Sequence, residues 1–149
     1  MQHMLKLEIS CSAIAHNIRA VRKVIGPHVQ LCGVVKSNAY GHGIDLVWPA
    51  IAAETDWLSV ASADEATELR GLGYDGPLLM LFCARSCGVG TEAVTLLAEL
   101  IRKDVTLTVA DLADVELVKL AASQAEVYAS VHIEIDSGMT RSGAAPDQF

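Results

Sequence analysis

The sequence predicts an α/β fold in which the short strands of one parallel sheet alternate with helices. Six runs rich in Val, Ile and Leu recur along the 149 residues, and the segments between them place apolar residues at helical spacing. The runs begin 21 to 28 residues apart, a period typical of parallel βα units and too long for antiparallel hairpins. The predicted strands are Leu5–Ile9, Val29–Val35, Trp57–Ala61, Leu78–Phe82, Val105–Val109 and Val131–Ile135.

The segments between the strands carry the start and end signals of helices. Ser62 and Glu65 have the spacing of a capping box, and Asp111 can cap the helix that follows the fifth strand. Thr91 stands at the start of the helix before that strand, and a basic pair beginning at Arg102 closes it. The apolar residues at helical spacing are Ile14, Ile18, Val21 and Ile25 in the first helix, Val94, Leu97 and Ile101 in the helix before the fifth strand, and Leu112, Val115 and Val118 in the helix after it.

The inner strands are apolar on both faces, as in the stretches LCGVV and PLLMLF. Helices or a barrel interior must then cover each side, so both a doubly wound open sheet and a (β/α) barrel fit the pattern. No Gly-x-Gly-x-x-Gly follows the first or second strand, which argues against a dinucleotide-binding open sheet and favours the barrel. Because a complete eight-stranded barrel needs roughly 250 residues, we expect residues 1–149 to form one continuous, partial barrel.

Composition and charge argue against several classes of protein. Hydrophobic residues make up 52% of the chain and charged residues 19%, as in an ordinary globular domain. The net charge of −7 and the scattered Lys and Arg offer no basic surface to a nucleic acid. The amino end lacks the apolar core of a signal peptide, and charges interrupt every window that could cross a membrane, so we expect a cytoplasmic protein. The four cysteines lack the spacing of a disulfide scaffold or a zinc site, and no metal is expected.

Lys36 is the first candidate for chemistry. It falls at the carboxyl end of the second strand, within GVVKSNAYGHG, and in parallel α/β folds that end of the sheet carries the reactive groups. A primary amine forms a Schiff base with an aldehyde when burial or a neighbouring charge lowers its pKa. Tyr40, Gly41 and Gly43 then form a turn into the next helix, where backbone amides and a phenol could hold a phosphate. A surface lysine beside a packed loop tyrosine explains the same residues equally well.

Three stretches resemble the alanine racemases. VVKSNAYGHG matches that family's lysine motif, VVKADAYGHG, at eight of ten positions. IDSGMTRSG, residues 135–143, resembles VDTGMGRLG, and LEISCSAIAHNI resembles the family's opening WAEIDLDALRHN. The resemblance covers essentially the whole chain but only the amino-terminal portion of a family member. It implies an isomerase dependent on pyridoxal 5'-phosphate (PLP), with about five of the eight strands of a TIM-type barrel plus an amino-terminal strand, and without the carboxyl-terminal β domain.

The resemblance also assigns roles to individual residues. Lys36 is implied to carry PLP as a Schiff base and to act as one of two acid/base groups at the substrate α-carbon. Tyr40 matches the tyrosine that contacts the phosphate. Arg141 matches the arginine that donates to the phenolic oxygen of PLP near the substrate carboxylate. His42 is expected to satisfy a backbone group rather than to act as an acid or base.

The sequence departs from the family pattern at two points. Glu134 stands where many alanine racemases have a carbamylated lysine, and we expect it to pair with Arg141. The alternative is a strand glutamate that faces outward. The family's second catalytic base, a tyrosine from the carboxyl-terminal domain of the partner subunit, has no counterpart, and Tyr74 and Tyr128 are expected to be structural.

The leading interpretation is the amino-terminal part of an alanine racemase that converts L-alanine to D-alanine in D-alanine biosynthesis and is inactive alone. Another PLP barrel enzyme remains open, either a serine or broad-specificity racemase or a D-amino-acid aldolase, as does a PLP-binding fragment without activity. We expect no nucleic-acid or membrane partner. We expect the strand before Lys36 and the strand Val131–Ile135 to be open edges, through which the chain forms a homodimer or joins a complementary chain.

Overall fold

The computed structural model describes residues 6–145, in which five parallel strands are hydrogen-bonded in their sequence order. The strands are β1 (Cys32–Val34), β2 (Trp57–Val60), β3 (Leu78–Cys83), β4 (Val105–Val109) and β5 (Val131–Ile133). The helices are α1 (Cys11–Ile25), α3 (Ile44–Ala52), α4 (Ala63–Gly71), α5 (Gly90–Arg102) and α6 (Leu112–Ala125), with a short left-handed segment, α2 (Lys36–Tyr40), and a 3-10 turn at Ala84–Cys87. Strand order never reverses, as it would in a doubly wound sheet, so the predicted partial barrel is confirmed.

The sheet curves as the wall of a barrel does. The rings of Trp57 on β2 and His132 on β5 have their centroids 5.7 Å apart, although two strands lie between them. Adjacent strands are about 4.8 Å apart, so a flat sheet would separate β2 and β5 by roughly 14 Å. The two side chains can therefore meet only across a concave face, which is the inside of the barrel.

The hydrophobic core lies between the convex face of the sheet and the helices. Successive strand residues point to opposite faces, so every second residue of β2, β3 and β4 enters this core. Each fully buried leucine stabilises the fold by about 1.5–3 kcal/mol. Fully buried side chains include Leu58, Val60, Leu78, Met80 and Leu107 from the strands and Leu69, Leu97 and Leu100 from the helices.

The two predicted helix caps both form. Ser62 Oγ accepts the N–H of Glu65 at 3.5 Å, and Asp111 Oδ1 accepts the N–H of Asp114 at 2.9 Å. The helix predicted to start near Thr91 begins one residue earlier, at Gly90, and its N-cap, Val89, makes no side-chain hydrogen bond. The three helices themselves are those that the sequence predicts.

The amino-terminal strand predicted at Leu5–Ile9 does not form over residues 6–9, and Leu5 lies outside the described residues. A strand needs a neighbour to receive its backbone N–H and C=O groups. Residues 6–9 lie beside no other strand in the described part of the chain, so they have no ladder to join.

The sheet has two open edges, as predicted, at β1 and at β5. All three residues of β5 are exposed, and an apolar cavity of about 560 Å³ lies between β5 and α6, lined by residues such as Val109, Val115 and Ile133. This is the position that a further βα unit occupies in a closed barrel. Among residues 6–145, no helix combines the length and the apolar character needed to cross a bilayer.

Candidate active site

Lys36 lies two residues beyond β1, at the carboxyl end of the sheet, where it is partly buried. Its side chain lines a cavity of about 550 Å³ that opens on the concave face. Cys83, Glu134 and Arg141 line the same cavity, and Leu79 and Leu81 form part of its apolar wall. Two of the three residues that the sequence nominated, Lys36 and Arg141, therefore line one cavity.

The chain leaves Lys36 in a left-handed turn. Ser37, Asn38, Ala39 and Tyr40 all have φ between 52° and 54°. An L-residue in this conformation costs about 1–2 kcal/mol, so four in succession need support from the surrounding structure. Within the turn itself, the N–H of Ala39 donates to the carbonyl of Val35 at 2.9 Å.

Two side chains of the lysine motif support this turn. His42 Nδ1 lies 2.7 Å from the carbonyl oxygen of Ala39, a contact with the backbone of the kind expected for His42. Asn38 Oδ1 accepts the N–H of Ile44 at 2.6 Å and so satisfies the first turn of α3. The motif residues after Lys36 thus bond chiefly to one another.

Glu65 supports the turn from outside, and the sequence did not place it at the site. Its Oε1 accepts the N–H of Ser37 at 2.7 Å, and its Oε2 accepts the N–H of Ala61 at 2.7 Å. In an ordinary capping box the glutamate returns to the N–H of the cap, here Ser62. The spacing of Ser62 and Glu65 predicts the start of a helix. It does not predict that Ser37, which follows β1, lies beside α4.

Glu134 points into the cavity and is already bonded. Its Oε1 accepts from Ser142 Oγ at 2.7 Å and its Oε2 from Cys83 Sγ at 3.4 Å. Within residues 6–145 no ion pair joins Glu134 to Arg141, so the expected pairing is wrong, because a hydroxyl and a thiol take the carboxylate oxygens. The outward-facing alternative is also wrong, because Glu134 lines the cavity. Burial and the hydrogen bond to Glu134 raise the pKa of Cys83 to about 11, which keeps the thiol protonated as a donor.

The loop that carries Arg141 is folded around Asp136. Asp136 Oδ1 accepts the N–H groups of Gly138 and Thr140, both at 2.9 Å. These hydrogen bonds to the ionised form hold the pKa of Asp136 below its ordinary value. Gly143 closes the loop at a φ of +101°, where a Cβ would lie 2.7 Å from the backbone nitrogen of Asp136. The motif Asp-Ser-Gly-Met-Thr-Arg-Ser-Gly is thus a compact loop that returns over the cavity.

The three tyrosines lie outside the cavity lining. Tyr40 is 60% exposed at the end of the left-handed turn. Tyr74 is buried and donates to the carbonyl oxygen of Pro77 at 2.8 Å, a packing role of the kind expected for it. Tyr128 is 99% exposed between α6 and β5, so it does not pack into the core as Tyr74 does. The lining of the cavity therefore includes no tyrosine among the described residues.

The cavity suits a small anionic ligand. Its volume falls within the range of about 300–1,000 Å³ typical of small-molecule sites. Lys36 and Arg141 bring two basic groups to the lining and Glu134 brings one carboxylate, and the planar guanidinium of Arg141 has a shape that matches a carboxylate or a phenolate oxygen. A partly buried primary amine at this end of the sheet is also a nucleophile when it is unprotonated.

Comparison with known proteins agrees with these features. The family model described as "Alanine racemase, N-terminal domain" matches residues 9–149. Alanine racemase 2 of Oceanobacillus iheyensis is 40% identical over 139 residues, which are 93% of this chain and 33% of that protein. Alanine racemase of Methanococcus maripaludis is 34% identical over 99% of this chain and 38% of its own length.

Solved structures show the same fold. Alanine racemase from the D-cycloserine-producing Streptomyces lavendulae superposes with a TM-score of 0.78 at 31% identity, over 92% of this chain and 34% of that one. Alanine racemase of Clostridium difficile 630 gives 0.74 at 32% identity, over 90% and 33% of the two chains. The chain spans about one third of the length of these relatives. It belongs to the alanine racemase family, whose amino-terminal domain it matches from residue 9 to residue 149.

Proposed function

We propose that this chain is the PLP-binding, amino-terminal part of a racemase that interconverts L- and D-alanine. The observation that carries the proposal is the cavity that Lys36 and Arg141 line together at the carboxyl end of the sheet. Membership of the alanine racemase family supports the reaction class. We further propose that the enzyme acts in the cytoplasm.

The donor groups around the cavity fit PLP. The Lys36 amine would hold the cofactor through its aldehyde carbon, and Arg141 would donate to its phenolic oxygen. Tyr40, at the end of the left-handed turn, would contact the phosphate together with backbone N–H groups near the start of α3. When bound, PLP supplies an electron sink that acidifies the α-proton of an amino acid.

The residues of the chain would share the work of proton transfer. The Lys36 amine would take the α-proton from one face of the substrate and return it to that face in the reverse direction. Arg141 would orient the substrate carboxylate through a charge-assisted hydrogen bond. Glu134, held by Ser142 and Cys83, would add a fixed negative charge to the same wall. Leu79 and Leu81 would limit the access of water.

We propose that the second acid/base group comes from outside this chain. Racemisation needs proton donors on both faces of the α-carbon, and no tyrosine among the described residues lines the cavity. The open edges at β1 and β5 are where the remaining barrel strands would pair. The full enzyme would be a homodimer whose partner supplies the second group, and this chain alone would be inactive.

Borohydride trapping tests the lysine. The chain is incubated with PLP, reduced with borohydride and digested, and the mass of the peptide carrying Lys36 is measured. We expect PLP on that peptide in the wild type and none in Lys36→Ala. Lys103→Ala is the matched control, because Lys103 is exposed and precedes β4 at the opposite end of the sheet. Undiminished labelling of the Lys36→Ala chain would overturn the site.

Racemisation tests the reaction. The chain is assayed with L-alanine, L-serine and PLP, alone and together with the remainder of alanine racemase 2 from Oceanobacillus iheyensis expressed separately. We expect D-alanine only in the reconstituted mixture, and less D-serine. A reconstituted, PLP-labelled mixture that racemises neither amino acid would contradict the proposal.

A further inference from the structure

We propose that Glu65 is a positioning residue for Lys36, which it holds in place by anchoring the peptide unit that follows the lysine. The inference rests on the proposed function, because Glu65 has this role only if the Lys36 amine is the reacting group.

Both oxygens of Glu65 are used on backbone groups at the ends of neighbouring strands. The last ladder bond between β1 and β2 runs from the N–H of Val35 to the carbonyl of Ser59 at 2.8 Å. Beyond it, the N–H groups of Ser37 and Ala61 each donate to one Glu65 oxygen at 2.7 Å. A carboxylate that accepts two N–H groups makes charge-assisted bonds, stronger than those of a neutral acceptor. Glu65 therefore continues the joining of β1 to β2 past the point where the ladder stops.

The Ser37 bond acts directly on the lysine. The nitrogen of Ser37 and the carbonyl carbon of Lys36 belong to one planar peptide unit. Fixing the Ser37 N–H therefore fixes the ψ angle of Lys36 and the direction in which its Cα carries the side chain. Ser37 is also the first of the four left-handed residues, with φ 53° and ψ 50°. Without an anchor at this point, the strained turn could relax and carry the amine away from the cavity.

The same arrangement occurs a second time where no lysine is present. Asp114 is the third residue of α6, as Glu65 is of α4, and it is 1% exposed. Its two oxygens accept the N–H of Arg85 after β3, at 2.8 Å, and the N–H of Ala110 after β4, at 2.9 Å. The pairs β1/β2 and β3/β4 are thus each joined by an acidic side chain of the helix that follows the second strand. Of these two side chains, only Glu65 bonds to the residue next to Lys36. Asp114 therefore serves as an internal control, because losing its two hydrogen bonds should affect stability without affecting Lys36.

The test compares Glu65→Gln with Asp114→Asn. A glutamine keeps the shape of Glu65 but has one acceptor oxygen, so it can satisfy only one of the two N–H groups. In Glu65→Gln we expect the Ser37 amide to exchange with solvent deuterium roughly 10- to 100-fold faster, the equivalent of one hydrogen bond to a charged group. We expect PLP attachment to Lys36, trapped by borohydride, to slow by about the same factor. In Asp114→Asn the midpoint of thermal unfolding should fall, while both Lys36-linked readouts stay within about twofold of wild type.

Every result of this comparison either supports or overturns the proposed role of Glu65. A Ser37 amide that exchanges freely in the wild type overturns the inference, even if Glu65→Gln fails to fold. Attachment of PLP to Lys36 at the wild-type rate in Glu65→Gln also overturns the inference. A decrease in the attachment rate that is as large in Asp114→Asn as in Glu65→Gln overturns it too. If the wild-type chain attaches no PLP to Lys36, the proposed function and the inference are both overturned. If the wild type attaches PLP to Lys36 and Glu65→Gln does so at the same rate, the inference alone is overturned.

Discussion

Gly143→Ala should displace the loop that carries Arg141. Gly143 has a φ of +101°, and an added Cβ would lie 2.7 Å from the nitrogen of Asp136 and 2.9 Å from the carbonyl carbon of Ile135. Carbon atoms in ordinary contact stay roughly 3.5 Å apart. Because the atoms in the way belong to the backbone, no side-chain rotation can relieve the contact, and the two arms of the loop must separate.

The magnitude follows from two contributions. A residue other than glycine at this φ carries a strain of about 1–3 kcal/mol. Separating the arms also breaks two backbone hydrogen bonds. The N–H of Asp136 donates to the carbonyl of Ala144 at 3.0 Å, and the N–H of Ala144 donates to the carbonyl of Glu134 at 2.9 Å. Two backbone hydrogen bonds contribute about 1–3 kcal/mol together. The free energy of opening this loop should therefore fall by about 2–6 kcal/mol in Gly143→Ala.

Gly138→Ala is the matched control. Gly138 has a φ of +124°, yet an added Cβ there would meet no atom within 4 Å, so this variant carries the strain without the clash. Native-state hydrogen exchange of the Ala144 amide should be roughly 10- to 100-fold faster in Gly143→Ala than in Gly138→Ala. Less PLP should attach to Lys36 in Gly143→Ala than in Gly138→Ala, because Arg141 moves with the loop. Equal exchange in the two variants would refute the clash argument.

Two further predictions concern groups that face the barrel interior. Because the pKa of Cys83 is raised to about 11, its alkylation by iodoacetamide should be slower at pH 8 than that of the exposed Cys32 and should rise towards pH 11. Glu134→Gln removes the negative charge that helps to raise this pKa and should therefore speed the alkylation of Cys83, and an unchanged rate would contradict the hydrogen bond. The hydroxyl of Ser59 is 1% exposed and has no hydrogen-bond partner among the described residues. Ser59→Ala should therefore raise the free energy of unfolding by about 1 kcal/mol in urea titrations, and a clear loss of stability would show that the hydroxyl is satisfied.

Much of the fold follows from local pattern. The five strands and the helices between them were predictable because side-chain period and helix caps act over a few residues, as Ser62 and Asp111 show. Strand ends were less predictable. The segment Val29–Val35 contributes only Cys32–Val34 to the sheet, and the segment at residues 6–9 forms no strand. A strand exists only where a neighbouring strand pairs with it, and the residues of a strand do not by themselves identify that neighbour.

The candidate site shows the same division. Lys36, Tyr40 and Arg141 could be nominated from motifs, and Lys36 and Arg141 line one cavity, while the roles of all three stay predictions. The hydrogen bond from Cys83 to Glu134 could not be predicted from the motif, because Cys83 is 51 residues away in the chain and comes near Glu134 only in the folded sheet. Tyr40 lies outside the cavity lining, and its contact with a phosphate stays a prediction.

The sequence by itself determined the βα alternation, the helix starts at Ser62 and Asp111, and the position of Lys36 beyond the end of β1, since each depends on residues that are close together in the chain. Only the tertiary structure decided that Glu65 would bond to Ser37 and that Ser142 and Cys83, rather than Arg141, would hold Glu134. Such hydrogen bonds depend on atoms within about 3 Å in space, and the pairing and curvature of the strands determine which distant residues come that close.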